Sequence, residues 1–128
     1  MLKGKNYINL EIAPNEENLT LLRLIASYVS SFLNFDLDEI DEVKVDITEI
    51  INYFQPYWEN DVPFRFTISI EDGALYTEIN AHLIGERKVF IDKFNPELII
   101  AKSLLDELDL GDEIDGNCQI KMLKKKRE

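Results

Sequence analysis

Two consecutive stretches of this sequence carry apolar residues at helical spacing, and in each stretch those residues define only one side. Between Pro14 and the second stretch they are Leu19, Leu22, Ile25, Ala26, Val29, Phe32 and Leu33, and before Pro56 they are Ile40, Val43, Ile47, Ile50, Ile51 and Phe54. Such a stripe lies along one side of an α-helix and must be buried against another element. The spacing therefore predicts two successive helices, the first capped by Asn15, that pack on a common apolar layer.

Alternation of polar and apolar residues predicts strands on either side of these helices. Residues 6–12 alternate, as do residues 64–70 and 74–83. A period of two residues is typical of a strand with one buried side. Glu71, Asp72 and Gly73 separate the later two runs and supply the residues that a tight turn needs, so these runs are predicted to form a hairpin.

The C-terminal third is predicted to contain two further strands and one helix. A strand is expected at roughly 87–91, and Asn95 and Pro96 then open a last helix that Gly111 ends. A turn at residues 115–117 sends residues 118–123 out as an edge strand.

The resulting fold class is α+β. The order of elements predicts a two-layer sandwich, with a mostly antiparallel mixed sheet and about three helices on one face. The chain has 128 residues, of which 45% are hydrophobic, and shows no repeat or linker. Residues 1–128 are therefore predicted to form a single domain with a sizeable core.

Charge and cysteine usage narrow the possible partners and the compartment. A net charge of −11 disfavours nucleic acid, which is bound largely through cations that neutralise phosphates. No apolar run is long enough for a membrane span, and Cys118, the single cysteine, is expected to be a core residue in a cytoplasmic protein. The cationic residues 124–127 are interpreted as a solvated tail, with a phosphate or lipid site as the alternative.

One motif connects the chain with a known family. Residues 38–48 read DEIDEVKVDIT and are followed by Glu49. This run resembles, without a gap, a segment of the anti-sigma-factor serine kinases of bacterial partner-switching systems. The resemblance extends to Arg23, at the family's arginine position, and to residues 104–107 in the last predicted helix. It covers most of the chain and implies the histidine-kinase-like ATPase fold in its smallest form.

The residues that hold ATP in that family are largely replaced in this sequence. Glu49 matches the glutamate that prepares the attacking group, but the asparagine that ligates magnesium corresponds to Tyr53. A phenol is a poor replacement, because magnesium prefers compact oxygen ligands in octahedral geometry. The aspartate that accepts a hydrogen bond from adenine corresponds to Ala81, and the glycine two residues later corresponds to Leu83.

The phosphate-binding part of the family's site is also missing. Glycine-rich backbone cradles phosphates in active members, whereas residues 94–97 of this chain read FNPE, with no amide at Pro96 and an anion at Glu97. Only about a dozen residues join Ala81 to Asn95, so the nucleotide lid is predicted to be deleted. The resemblance thus implies the fold without ATP binding and without a cofactor.

Several single residues admit two interpretations. Glu49 shares one side of the second helix with Glu42, Asp46 and Tyr53, a pattern typical of a solvated acidic side, with residual catalysis as the alternative. Arg23 either contacts the regulated partner, as the resemblance implies, or covers apolar surface with its stem and pairs with a nearby acid.

His82, the single histidine, is interpreted as a strand-end residue, since the sequence offers neither a second His nor a paired Cys for a metal site or a catalytic dyad. Gly73 and Gly85 are interpreted as turn residues. The aromatic residues Tyr53, Phe54, Tyr57 and Trp58 are predicted to fill the space that nucleotide occupies in active relatives, and a contact surface is the alternative.

The sequence therefore predicts a non-catalytic, anti-sigma-factor-like regulator of transcription that binds a protein partner, either a sigma factor or an antagonist domain, through Arg23. Glu49 is at most a vestigial catalytic residue in this interpretation. Two alternatives stay open: an active ATP-dependent anti-sigma serine kinase that uses Glu49 as its base, and a dimerisation or scaffold module that forms a homodimer.

A last expectation concerns the former nucleotide site. Tyr53 and Leu83 are larger and more apolar than the residues they replace, so the protein's own side chains are predicted to fill the site. Pro96 is predicted to close the end where the phosphates would lie.

Overall fold

The computed structural model describes residues 7–59, 62–82, 95–111 and 116–127. In this part of the chain, three α-helices accompany a five-stranded sheet. The elements are β1 (Tyr7–Ile12), α1 (Glu16–Ser30), α2 (Leu37–Phe54), β2 (Phe64–Glu71), β3 (Ala74–His82), α3 (Pro96–Leu104), β4 (Glu107–Leu110) and β5 (Asn117–Lys125). The strand order is β1-β2-β3-β5-β4, and every neighbouring pair is antiparallel. The α+β two-layer prediction is confirmed.

The first two helices begin at side-chain caps that the sequence supplies. The side chain of Asn15 accepts a hydrogen bond from the backbone N–H of Asn18 at 2.9 Å, as predicted for the start of α1. At the start of α2, Asp36 and Glu39 form a reciprocal capping box. Between the helices, Asn34 adopts a left-handed conformation with φ 58°, which reverses the chain so that α2 returns along α1.

The β2–β3 hairpin closes through a two-residue turn. Asp72 and Gly73 both have positive φ, 53° and 75°, and Glu71 pairs with Ala74 across the turn. Positive φ at both central residues is the requirement of the turn that matches the twist of a hairpin, and Asp-Gly is well suited to it. The predicted hairpin and the turn role of Gly73 are confirmed, whereas Gly85 lies outside the described residues.

The core lies between the helices and one face of the sheet. Its fully buried side chains on the strands are Phe66, Ile68, Ile79 and Ile120, and on the helices they are Leu22, Val29, Ile47 and Ile50. The second and third strands alternate buried and exposed residues, so their other face is polar. Cys118 is buried on β5, which confirms it as a core residue.

The C-terminal region differs from the prediction in two respects. α3 ends at Leu104 and not at Gly111, because Leu105 is extended and the backbone N–H of Asp106 donates to the carbonyl of Leu123 at 2.9 Å. The residues that follow form β4, and β5 lies between β3 and β4 instead of at an edge. The strand predicted at 87–91 lies outside the described residues.

The cationic residues 124–127 are not a solvated tail. Lys124 is buried, and both the ammonium group of Lys126 and the backbone N–H of Arg127 donate to the carboxylate of Glu39, at 3.0 and 2.7 Å. We refer to residues 124–127 as the C-terminal strap, because they cross the first turns of α2. Arg127 also donates to Glu42 at 2.8 Å. The strap therefore joins the end of the sheet to the beginning of the second helix.

Glu39 remains ionised although its side chain is inaccessible to solvent. Burial by itself would raise the pKa of this carboxyl, but hydrogen bonds from the backbone of Asp36 and Arg127 and from Lys126 lower its pKa to about 2. The folded state therefore gains stability from Glu39 above its ordinary pKa of 4.5 and loses that stability as the pH falls toward 2.

Candidate functional site

The residue at the family's magnesium position is part of the core. Tyr53 is 7% exposed, and its ring lies edge-on to Phe54 with centroids 4.8 Å apart and 6.4 Å from the ring of Tyr57. Trp58 is also buried and packs on Phe64 at 5.2 Å. Tyr53, Phe54 and Trp58 are therefore core residues, and a role as an open contact surface is wrong for them. That the cluster fills a former nucleotide site stays a prediction.

The other residues at ATP positions are only partly described. Glu49 is half-buried on α2 and Ala81 is buried on β3, whereas Leu83 and Phe94 lie outside the described residues. Pro96 is exposed at the first position of α3, after Asn95, whose side chain accepts hydrogen bonds from the first turn. Local sequence therefore makes this segment a capped helix start, with Pro96 at its first position.

The side of α2 that carries Glu49 is not the solvated acidic side that the sequence predicted. Asp46 is 1% exposed, and the Glu42 side chain is only 15% exposed. β5 and the C-terminal strap cover these carboxylates, so burial on this side includes charged residues. Helical periodicity misses such a side because it counts Asp and Glu as solvent-facing.

Asp46 and Lys124 are both buried, but no hydrogen bond joins their side chains. The ammonium group of Lys124 donates to the carbonyl oxygen of Leu104 at 2.7 Å and lies 3.8 Å from Glu42. Both carboxylate oxygens of Asp46 are buried and have no hydrogen-bond partner among the described residues. Asp46, Lys124 and Thr77 also line a cavity of about 10 Å³. This volume is close to the minimum for one water molecule.

These surroundings favour the neutral form of Asp46. Burial raises the pKa of its carboxyl from 3.8 to about 8, Lys124 lowers it and Glu42 raises it further. Between these two pH values the unfolded chain has lost the proton that the native state keeps. Stability contributed by this residue therefore falls as the pH rises from about 4 to about 8.

Replacement of Asp46 by Asn should remove this pH dependence. We expect Asp46→Asn to raise the free energy of unfolding at pH 8 by about 2 kcal/mol or more, because the buried amide is neutral without binding a proton, whereas the parent holds a proton that its unfolded chain has released. The gain should shrink toward pH 4, where the native and unfolded states of the parent are both protonated. Urea unfolding at several pH values measures this difference.

The matched control is Asp41→Asn, because the Asp41 side chain is 71% exposed on the same helix. Its effect on unfolding should be small at every pH. A gain for Asp46→Asn that is equally large at pH 4 and pH 8 would contradict the burial argument.

Arg23 lies between α1 and α2 and is held by hydroxyl groups. Its two terminal nitrogens donate to Thr48 at 3.0 Å and to Thr20 at 3.2 Å. The side chain is partly exposed, and none of the ion pairs among the described residues includes it. The alternative in which Arg23 pairs with a nearby acid is not observed. Its guanidinium donates to two neutral hydroxyl groups instead, and no carboxylate among the described residues forms an ion pair with it.

His82 is the last of the candidate residues and lies beside a groove at the end of β3. A ring nitrogen of His82 lies 3.0 Å from the side-chain oxygen of Asn117, at the end of β3, as predicted for a strand-end residue. An open groove of about 280 Å³ lies beside it and is lined by polar residues such as Glu11 and Arg65, which pair at 3.3 Å. No group of three or more potential metal ligands is found among the described residues.

Comparison with known proteins identifies the fold. No protein-family model and no curated protein matches the sequence. A structure of the RsbU and RsbW domains of Rv1364c from Mycobacterium tuberculosis matches with a TM-score of 0.70 and 12% identity, over 93% of this chain and 31% of that chain. This protein therefore spans about a third of the length of that structure's chain.

The SiaB–SiaC complex from Pseudomonas aeruginosa contains a second similar chain. The TM-score is 0.62 at 12% identity, and the match covers 91% of this chain and 88% of that one. Both likenesses show a shared fold. None of the described helices is long and apolar enough to cross a membrane.

Truncation of Tyr53 should measure how much the packing of this ring, which the resemblance aligns with a magnesium ligand, stabilises the fold. We expect Tyr53→Ala to lower the free energy of unfolding by about 3 kcal/mol or more, because it removes a buried ring and leaves a cavity. Tyr28→Ala is the control, since Tyr28 is 61% exposed and its loss should cost much less. A Tyr53→Ala protein as stable as the parent in urea would show that the ring does not fill the site.

Proposed function

We propose that this protein is a non-catalytic regulator that resembles an anti-sigma factor and acts by partner switching without ATP. Arg23 is the observation that carries the proposal. It combines an uncompensated charge, partial exposure and a position fixed by two threonine hydroxyls. The partner is a sigma factor or an antagonist domain.

The chemistry of Arg23 suits recognition of an acidic group. A guanidinium presents several N–H donors in a plane, and some remain available after two have bonded to Thr20 and Thr48. Because these bonds already orient the side chain, less rotamer entropy is lost when a carboxylate binds. Such a residue can add selectivity to a protein interface without taking part in a reaction.

The structural neighbours support the same class of function. One contains the RsbU and RsbW domains of a single protein. The other is a complex of SiaB with SiaC, which supports a protein partner for this chain as well. The acidic net charge of −11 agrees with a protein partner and disfavours nucleic acid.

The absence of catalysis is inferred from the residues that surround Glu49. One helical turn later, the buried ring of Tyr53 takes the position where a kinase of this type needs a magnesium ligand. Ala81 offers no acceptor for a base, and Pro96 offers no amide to a phosphate. In this proposal no magnesium-bound nucleotide is held beside Glu49, so its carboxylate has no attacking group to prepare.

Calorimetric titration with Mg-ATP tests this part directly. We expect no binding heat at millimolar nucleotide, and no change when Glu49 is replaced by Ala. Binding at micromolar concentration that Glu49→Ala abolishes would instead support the ATP-dependent kinase. An active kinase should also transfer labelled phosphate to a serine of its co-purified partner.

Affinity capture from the native host tests the partner-binding role. The parent protein and Arg65→Ala should recover the same partner, identified by mass spectrometry, and Arg23→Ala should recover at least ten-fold less. Arg65 is a suitable control because it is an exposed arginine on the opposite, polar face of the sheet. The proposal fails if no sigma factor, antagonist or related signalling protein is recovered. A homodimer that binds no other protein would favour the scaffold alternative.

A further inference from the structure

The first helix carries a second apolar side that faces solvent. Its residues, which we call the outer stripe, are Leu21, Leu24 and Tyr28 on α1 and Phe32 directly after it. They are 43%, 63%, 61% and 47% exposed. Successive spacings of three, four and four residues place them along one side of the helix.

The outer stripe is separate from the side that packs on the sheet. The core side of α1 is formed by Leu22, Ala26 and Val29, all of which are inaccessible to solvent. Tyr28 and Phe32 are in edge-to-face contact at 5.1 Å, so the exposed side chains are already ordered against each other. The two apolar sides are centred roughly 120° apart around the helix. An apolar side of a helix is normally covered by another element.

The area of the outer stripe indicates how large its occupant is. Four large side chains exposed to this extent present on the order of 400 Å² of apolar surface, a size typical of a functional patch. The stripe matches in size the apolar side of a single docked helix.

The charges near the outer stripe indicate which polar residues a docked helix would carry. Between residues 16 and 43, Arg23 is the only cationic residue. Glu16 and Glu17 are exposed just before the stripe and Asp38 is exposed soon after it, whereas Asp41 pairs with Lys44 at 3.8 Å. A second copy of this acidic chain would be repelled, whereas lysine or arginine residues beside an apolar stripe would be attracted.

We propose that the outer stripe is the docking surface for a cationic amphipathic helix of the protein partner. The apolar side of that helix packs on Leu24 and Tyr28, and its cations lie near the carboxylates at the two ends of the stripe. The inference rests on the proposed partner-binding function and deepens it by adding a surface and a partner chemistry. Arg23 lies about 100° around the helix from Leu24, so the two contacts can be tested separately.

Model peptides provide the probe. Three blocked peptides of equal length would be titrated by calorimetry: an amphipathic Leu/Lys helix, a scrambled Leu/Lys sequence of the same composition, and an amphipathic Leu/Glu helix. We expect the first to bind at least ten-fold more tightly than the other two. In NMR spectra, the backbone amide chemical shifts that change on binding should be those of α1 around Leu24 and Tyr28.

Variants distinguish apolar contact with the outer stripe from attraction of the peptide by the negative charge of the whole protein. Leu24→Gln combined with Tyr28→Gln should weaken the amphipathic Leu/Lys peptide at least ten-fold without changing the net charge. Ile99→Gln is the matched control, because Ile99 is 50% exposed on α3 and its replacement should leave binding unchanged. Arg23→Ala should also retain the peptide, so failure of the capture experiment with Arg23 and failure of this one are distinguishable.

Three results would overturn the proposal. Equal binding of the amphipathic and scrambled Leu/Lys peptides would mean that charge alone acts. Unchanged binding by the double glutamine variant, or shift changes away from α1, would place the contact elsewhere. Sedimentation that shows a parent dimer dissociated by the double variant would make a second copy the occupant.

Discussion

Ionic contacts between one side of α2 and the C-terminal strap attach the helical layer to the end of β5. Glu39 is fully buried yet accepts hydrogen bonds from Asp36, Lys126 and Arg127, so its charge is stabilised without water. A buried carboxylate is tolerable only when it is paired in this way, and removal of one partner is costly. The position of α2 over the sheet depends on these bonds as well as on its apolar side.

One and two turns further along α2, the buried carboxyl groups have fewer hydrogen-bond donors. Glu42 is compensated by Lys124 and Arg127, but Asp46 is buried without a hydrogen-bond partner. The structure thus contains both outcomes of carboxylate burial, an ionised group with several donors and a neutral group beside an apolar cavity. The difference arises from access to backbone N–H groups, which the strap supplies only to the first turns of α2.

Local sequence determined much of the fold in advance. Caps at Asn15, the Asp-Gly turn and the alternation of the hairpin strands are short-range signals, and each appears in the structure as expected. β4 could not be predicted in this way, because Leu104, Leu105 and Leu108 continue a helical spacing. The helix ends because Asp106 pairs with Leu123, a contact that only the tertiary structure provides. Likewise, no local pattern reveals that Asp46 faces Lys124, whereas burial of Tyr53 follows from an aromatic ring in a helix that packs on the sheet.

The central place of β5 has a consequence for the order of events during synthesis. β5 lies between β3 and β4, and the strap meets α2 across sequence separations of 87 and 88 residues. Neither the complete sheet nor the charged contacts of α2 can form while residues 117–127 are still inside the ribosomal tunnel. A nascent chain can pair β1, β2 and β3 and stack α1 on α2, but it exposes the edge of β3 until β5 emerges. Such an unpaired strand edge favours association between chains, so this protein is most vulnerable to aggregation until residues 117–127 have left the tunnel.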